Sequence, residues 1–171
     1  KLTGKSLGSN DVFMFSYNGV LYFLYGENYY CLVDDVVSEI TPYAPRVSYN
    51  RKADGSGGEV DESWNMLSDQ FRNTFNADGT SKDYILSLDN LKSVDKVTVG
   101  GVATTEYTVD LTKGKVTFTT APVEGLNNVE ITASKTFEKL KENINKCTFA
   151  IEFSNRMFFS GNADYPNEYY A

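Results

Sequence analysis

Alternating apolar and polar positions near the start of the chain predict a three-stranded antiparallel meander. The strands are expected at residues 11–17, 20–25 and 29–33. Asn18-Gly19 separates the first two and is the strongest two-residue hairpin signal, because a type I′ turn needs positive φ at both central positions. Aromatic residues fall on both faces of these strands, which indicates a sheet that packs against neighbours on each side.

A second pattern, rich in Thr and Val and poor in aromatic residues, runs from residue 69 to residue 134. Apolar and polar residues alternate at 96–99, 105–109, 115–119 and 129–133. Turn signals such as Gly100-Gly101 and Lys113-Gly114 stand between these segments. A strand at roughly every ten residues is typical of a small antiparallel β-sandwich.

One short helix is predicted at residues 136–146, with Thr136 as its cap and Phe137, Leu140 and Ile144 on one face. A strand at 148–153 follows, and the aromatic-rich composition of the first part returns. The sequence therefore predicts an all-β fold with one short helix, an antiparallel meander interrupted by a small sandwich. Residues 1–68 and 135–171 would form one discontinuous β module, and residues 69–134 the inserted sandwich.

Charge and hydropathy exclude several functions. The 171 residues carry a net charge of −7 and no long basic run, so direct binding of nucleic acid is not expected. No apolar run reaches the roughly 18 residues of a membrane span. Because the chain lacks an initiator Met and ends on an aromatic loop, we expect it to be part of a longer polypeptide.

Candidate chemistry is sparse. The chain has no histidine, which removes His-based acid–base catalysis, Ser-His and Cys-His nucleophiles and His-containing zinc sites. The adjacent acids Asp34-Asp35 and Asp61-Glu62 would point to opposite sides of an extended chain, so they are interpreted as solvated. We predict no enzyme, no catalytic residue, no cofactor and no metal site.

Two further motifs receive structural interpretations. Residues 76–83, Asn-Ala-Asp-Gly-Thr-Ser-Lys-Asp, superficially resemble a calcium loop but lack the terminal acidic ligand, so a turn with Asx hydrogen bonds is favoured. Cys31 and Cys147 are interpreted as two free, buried or half-buried thiols. A disulfide between them stays open, because two residues alone do not determine pairing.

Tyrosines provide the candidate interaction surface. Tyrosine combines apolar area with a polar tip and suits binding faces, although core and inter-strand packing is the competing interpretation. Tyr29 and Tyr30 belong to the predicted meander. The residues assigned to a possible interaction surface are Tyr43, Tyr49, Tyr165, Tyr169 and Tyr170.

The middle segment resembles a small β domain that recurs in tail and fibre proteins of tailed bacteriophages. The motifs that carry the resemblance are Asp78-Gly-Thr-Ser81, Val97-Thr-Val-Gly-Gly101, Tyr107-Thr-Val-Asp110, Val116-Thr-Phe118 and Ala121-Pro122. The flanks are similar to β-propeller-like structural proteins of tailed phages and prophages, through Leu21-Tyr-Phe-Leu-Tyr-Gly26, Asn65-Met-Leu67 and residues 155–167. Repeated blades are not visible, and a whole propeller does not fit beside the sandwich.

This resemblance implies a non-catalytic structural component of a phage or prophage tail or neck, located in the virion. Its partners would be other phage structural proteins or remaining segments of the parent chain. The alternative is an extracellular carbohydrate-binding or adhesin module with a Tyr-rich face. A carboxylate-based glycosidase is the third hypothesis, and it requires two facing carboxylates in a cleft.

Overall fold

The structure is a computed structural model that describes residues 3–4, 12–25, 28–136, 140–154 and 156–171. The chain divides into two compact units, the first formed by Lys1–Pro42 with Lys139–Ala171 and the second by Tyr43–Glu138. Some residues that carried sequence predictions lie outside the described residues: Asp11, Gly26, residues 137–139 of the predicted helix, and Asn155.

Nearly all regular structure is β-strand, which confirms the predicted all-β class. In chain order, the described elements are β1 (Thr3–Gly4), β2 (Val12–Tyr17), β3 (Val20–Tyr25), β4 (Asn28–Val33), β5 (Val36–Glu39), β6 (Arg46–Arg51), β7 (Gly57–Val60), β8 (Gln70–Ala77), β9 (Asp83–Ile85), β10 (Ser93–Val99), β11 (Val102–Ala103), β12 (Tyr107–Asp110), β13 (Lys115–Phe118), β14 (Gly125–Ser134), α1 (Leu140–Asn145), β15 (Phe149–Phe153), β16 (Arg156–Ser160) and β17 (Tyr169–Tyr170).

The first unit contains the predicted meander, extended by two strands. Its sheet has the order β1-β5-β4-β3-β2, antiparallel except for the short pairing of β1 with β5. Asn18 and Gly19 have φ values of 48° and 76°, which confirms the predicted hairpin turn. Asp34 and Asp35, with φ values of 49° and 60°, turn the chain into β5, a strand that the sequence analysis did not predict.

Aromatic rings join this meander to the small sheet β15-β16-β17 of the same unit. Phe15 stacks on Tyr22 at 5.4 Å between ring centroids, and both lie near Tyr29. Phe159 of β16 meets Phe15 and Tyr29 edge-on at 6.0 Å and 5.5 Å. On the other meander face, Phe23 and Val37 are also buried. Both faces therefore bury aromatic or aliphatic side chains, as the sequence pattern indicated.

The helix is described over Leu140–Asn145, and residues 137–139 of the predicted helix lie outside the described residues. It covers six residues, and Ile144 on it is buried, as is Cys147 just beyond its end. Lys141 lies 3.8 Å from the carboxylate of Glu39 in β5. The helix thus belongs to the first unit, where its apolar residue is buried and its Lys faces an acid of the meander.

The second unit is a β-sandwich. A six-stranded sheet, β11-β10-β14-β8-β6-β7, faces a three-stranded sheet, β12-β13-β9. Tyr84 of β9 lies between Phe75 of β8 and Phe118 of β13, with centroid distances of 5.4 Å and 5.2 Å. Each fully buried large apolar side chain contributes roughly 1.5–3 kcal/mol. The residues without exposed area in this core are Phe71, Phe75, Tyr84, Val116, Val129, Ile131 and Ala133.

This unit begins at Tyr43, whereas the sequence analysis placed the start of the sandwich at residue 69. The difference arises because β6 pairs in parallel with β8 and β7 pairs with β6. Strands β6 and β7 therefore belong to the six-stranded sheet rather than to the flanking module. The parallel pairing joins segments that are distant in sequence, so no local sequence pattern predicts it.

Asn73, on the core side of β8, is buried with no exposed area. Its amide nitrogen donates to the hydroxyl of Ser48 on β6 at 2.8 Å. Its carbonyl oxygen accepts from the backbone N–H of Ser87 at 2.8 Å and from the Ser87 hydroxyl at 3.0 Å. One side chain thus ties β6, β8 and the segment before β10 together inside an apolar core, where an unpaired polar group would be costly.

We predict that Asn73→Ala lowers the free energy of unfolding by about 2 kcal/mol, because the Ser87 N–H and the buried Ser48 hydroxyl lose their partner. The control Ser87→Ala removes only one hydroxyl bond and should cost about 1 kcal/mol. Urea unfolding followed by fluorescence of Trp64, which contacts Phe71 at 5.5 Å and is the single tryptophan, measures both. Equal losses in the two variants would contradict the role of Asn73.

The hydroxyl of Tyr84 is buried and has no hydrogen-bond partner among the described atoms, and burial raises its pKa to about 12. We predict that Tyr84→Phe raises the free energy of unfolding by about 1 kcal/mol, because it removes an unsatisfied polar group and keeps the ring. The control Tyr43→Phe should lower it by about 1 kcal/mol, since the Tyr43 hydroxyl donates to Glu62. Urea titration measures the free energy of unfolding of both variants. A decrease for Tyr84→Phe as large as that for Tyr43→Phe would refute the prediction.

Candidate interaction surfaces

The five tyrosines of the predicted interaction surface fall in different compact units. Tyr43 and Tyr49 belong to the second unit, and Tyr165, Tyr169 and Tyr170 to the first. They therefore do not form one described site, and each group has its own surroundings.

Tyr43 takes part in a charged network with its neighbours. Its hydroxyl donates to Glu62 at 3.1 Å and accepts from Arg72, whose guanidinium carbon lies 5.2 Å from the ring centroid. Arg72 also pairs with Glu130 at 3.2 Å. The ring is 57% exposed, but the groups around it are largely occupied with one another, so few are left for a ligand.

Tyr49 repeats this arrangement. Its hydroxyl donates to Glu59, its cross-strand neighbour on β7, at 2.6 Å, and this hydrogen bond raises the pKa of Tyr49. The guanidinium carbon of Arg46 lies 5.3 Å from the ring centroid, and Arg46 also pairs with Asp61 at 2.5 Å. A guanidinium group therefore lies over the ring of both Tyr43 and Tyr49.

The three tyrosines of the first unit differ in accessibility. Tyr170 is buried, its hydroxyl donates to Glu168 at 2.9 Å, and burial together with that carboxylate raises its pKa to about 12. It is a packing residue rather than a surface residue. Tyr165 stands in a turn and is 42% exposed, whereas Tyr169 on β17 is 70% exposed.

Beside Tyr169 lies an apolar surface that the sequence analysis missed. We call it the hairpin face, formed by Phe149, Ile151, Phe153, Phe158 and Tyr169. Ile151 pairs with Phe158 across the strands, and Phe158 lies 6.4 Å from Phe153 and 6.0 Å from Tyr169. Ile151 and Phe153 are 63% and 68% exposed. The apolar alternation of residues 149, 151 and 153 was the available signal.

The other side of the same sheet is buried. Phe159 and Tyr170, cross-strand partners on β16 and β17, are 7% and 5% exposed. The small sheet is thus apolar on two faces, of which only one is covered by the described part of the chain. Arg156 stands opposite Phe153, is exposed, and makes no ion pair within the described residues.

A second apolar surface lies among loops of the second unit. We call it the loop depression, an open hollow of about 440 Å³ whose lining includes Val102, Glu106, Phe118 and Val123. Val102 and Val123 are 71% and 78% exposed. A neighbouring hollow of about 470 Å³ is lined by Asp54, Asp78, Glu124 and Leu126, among others.

Residues 76–83, which superficially resemble a calcium loop, contain the predicted turn. One oxygen of Asp78 accepts from the N–H groups of Thr80 and Ser81, at 2.9 Å and 2.7 Å. The other oxygen accepts from the Ser81 hydroxyl at 2.6 Å. These are the hydrogen bonds of an Asx turn. Across the described ranges, no group of three or more Cys, Asp or Glu side chains is placed to hold a metal ion.

The remaining candidate groups have structural surroundings. Asp61 and Glu62 both bind Arg46, the first its side chain and the second its backbone N–H. Cys31 and Cys147 are free thiols, half-buried and buried respectively, and burial raises the pKa of Cys147 to about 11. A thiol with a raised pKa is a weak nucleophile at neutral pH.

No helix in the part of the chain that the structure describes is long and apolar enough to cross a membrane. No protein-family model matches the sequence, and no curated protein matches it.

We predict that the Asp78 turn makes stability depend on pH. Hydrogen bonds from Ser81 and Thr80 hold the pKa of Asp78 well below its usual value. Its contribution is therefore complete above the unfolded pKa of about 3.9 and is lost as the pH falls through the folded pKa. The urea midpoint of wild type should exceed that of Asp78→Asn at neutral pH, and the gap should narrow below about pH 4.

The control for this titration is Glu124→Gln, because Glu124 makes no ion pair within the described residues. Its urea midpoint at neutral pH should equal that of wild type. A gap between wild type and Asp78→Asn that stays constant as the pH falls would contradict the assigned pKa direction.

Proposed function

We propose that this chain is a non-catalytic structural component of a bacteriophage or prophage tail or neck. It acts in assembly through contacts with other structural proteins of the particle or with further segments of its parent polypeptide. The phage assignment rests on the motif resemblance of the sequence. The observation that supports an assembly role is the exposed hairpin face.

The hairpin face has the composition of a binding surface. Single exposed apolar residues are normal on proteins, but a contiguous patch indicates an interaction site. Here Ile151, Phe153, Phe158 and Tyr169 are neighbours on one sheet face, and Arg156 stands at its end. Aromatic residues and Arg are enriched at the centres of interfaces, where they provide most of the binding energy.

Contacts through faces suit this chain better than pairing along the β7 edge. Gly57 and Gly58 in that strand have φ values of 64° and 86°, which interrupt the regular ladder that an added strand would extend. Irregular edges of this kind protect sheets from unwanted pairing. The small sheet of the first unit and the loops of the second unit each present exposed apolar side chains, among them Phe153 and Val123.

The alternative, a carbohydrate-binding or adhesin module, draws support from Tyr169, whose ring is 70% exposed. The rings of Tyr43 and Tyr49, by contrast, are already covered on one side by Arg72 and Arg46. A glycan array separates the two proposals. Binding of a glycan that Tyr169→Ala abolishes would favour the carbohydrate-binding module over the structural role.

The structural role predicts that the protein is found in phage particles. Particles induced from a lysogen that carries the gene should contain the chain, as detected by mass spectrometry after purification. Replacing Ile151 and Phe153 with Lys should reduce its incorporation at least tenfold, because loss of a central contact costs about 2 kcal/mol or more.

The matched control is Val60→Lys, which places the same charge at an apolar residue that is 87% exposed in the second unit. Its incorporation should match that of wild type. Circular dichroism establishes that each variant keeps its β content. Absence of the chain from particles would refute the proposed function, and normal incorporation of the double variant would remove the role of the hairpin face.

A further inference from the structure

We infer that two copies of this chain bind each other head to tail, with the hairpin face of one copy on the loop depression of the next. The inference rests on the proposed role of the hairpin face as a protein contact surface. It adds the identity of one partner, a second copy, and the place on that copy where the face binds.

The hairpin face includes the end of a hairpin, and the loop depression is an open hollow. Strands β15 and β16 are joined by a two-residue connection between the cross-strand partners Phe153 and Arg156, so both side chains stand at the end of a hairpin on one face. The ring of Phe153 is 68% exposed. The loop depression is an open hollow of about 440 Å³ with Val102, Phe118 and Val123 in its lining, a suitable receptor for an aromatic ring.

The charges beside the two apolar surfaces have opposite sign. Arg156 lies next to the apolar hairpin face, Glu106 lines the loop depression, and Glu124 lines the neighbouring hollow. Within the described residues none of these three groups forms an ion pair. The two exposed apolar surfaces thus carry unpaired charges of opposite sign, and such complementarity selects partners and orientation.

The same charges argue against the symmetric alternatives. A contact between two hairpin faces would contain two copies of Arg156 and no carboxylate, and a contact between two loop depressions would contain two copies of Glu106 and no cation. Like charges at an interface cost several kcal/mol, so charge selects the head-to-tail arrangement. A head-to-tail contact is heterologous, and its repetition gives a closed ring or an open filament.

The test is sedimentation velocity of the purified full chain over a concentration series. Wild type should form dimers or larger oligomers as the concentration rises. Arg156→Glu should weaken the association at least tenfold, and so should the double variant Glu106→Lys, Glu124→Lys. The control Lys96→Glu makes the same charge change at an exposed residue that belongs to neither surface, and it should associate like wild type.

Charge exchange provides the decisive measurement. Arg156→Glu carries acids on both surfaces and the double Lys variant carries cations on both, so each alone should stay monomeric. An equimolar mixture should assemble again, because each hairpin face then meets a depression of opposite charge. Urea unfolding followed by Trp64 fluorescence establishes that the Glu106 and Glu124 variants are folded.

Three results would overturn the inference: a wild-type monomer at every concentration, association that survives Arg156→Glu, and a mixture that fails to assemble. Failure here is distinguishable from failure of the proposed function. Variants that no longer self-associate but still enter phage particles would leave the structural role standing with a different partner.

Discussion

The second unit depends on the buried amide of Asn73. The parallel pairing of β6 with β8 is irregular, with shifts in register between its bonded positions, so backbone hydrogen bonds alone fix it poorly. Asn73 sets the pairing through Ser48 and at the same time holds Ser87. Because an unpaired amide in this core is costly, only the arrangement that satisfies all these bonds is stable. The position of β6 then places Arg46 and Tyr49 on the sheet.

The two units bury their apolar side chains in different ways. This difference explains which exposed surfaces are candidates for binding. The sandwich buries apolar residues between its sheets, while Arg46 and Arg72 find carboxylates and rings within the same unit. The first unit buries rings on both faces of its meander, yet leaves one face of its small sheet uncovered. Arg156 beside that face has no acidic partner in the described part of the chain. The tyrosines with satisfied partners are therefore poor binding candidates, and the hairpin face is a better one.

Local signals predicted local structure. Asn18-Gly19 identified its hairpin because those two residues readily adopt positive φ, and alternation identified β10, β12, β13 and β14 because period two follows from the pleat. Strand β5 was missed because Asp34 and Asp35 form its turn without Gly. The β6–β8 pairing was missed because it joins distant segments. Tyr170 was chosen by residue type, but the register of β17 turns it inward. The exposed side of β15 was equally hidden, since the packing of Phe159 on the meander decides it.

The negative net charge of the protein does not prevent association through the apolar hairpin face. A net charge of −7 makes copies repel at long range, but screening reduces that repulsion beyond about 8 Å at physiological ionic strength. At contact, the few charges inside the interface dominate, because they are desolvated together with the apolar side chains around them. An exposed aromatic face without a charge would stick to any apolar surface. Burial of Arg156 beside Phe153 opposes binding to an apolar surface that offers no carboxylate. In the proposed head-to-tail contact, this one cation therefore restricts which partner the apolar face can bind.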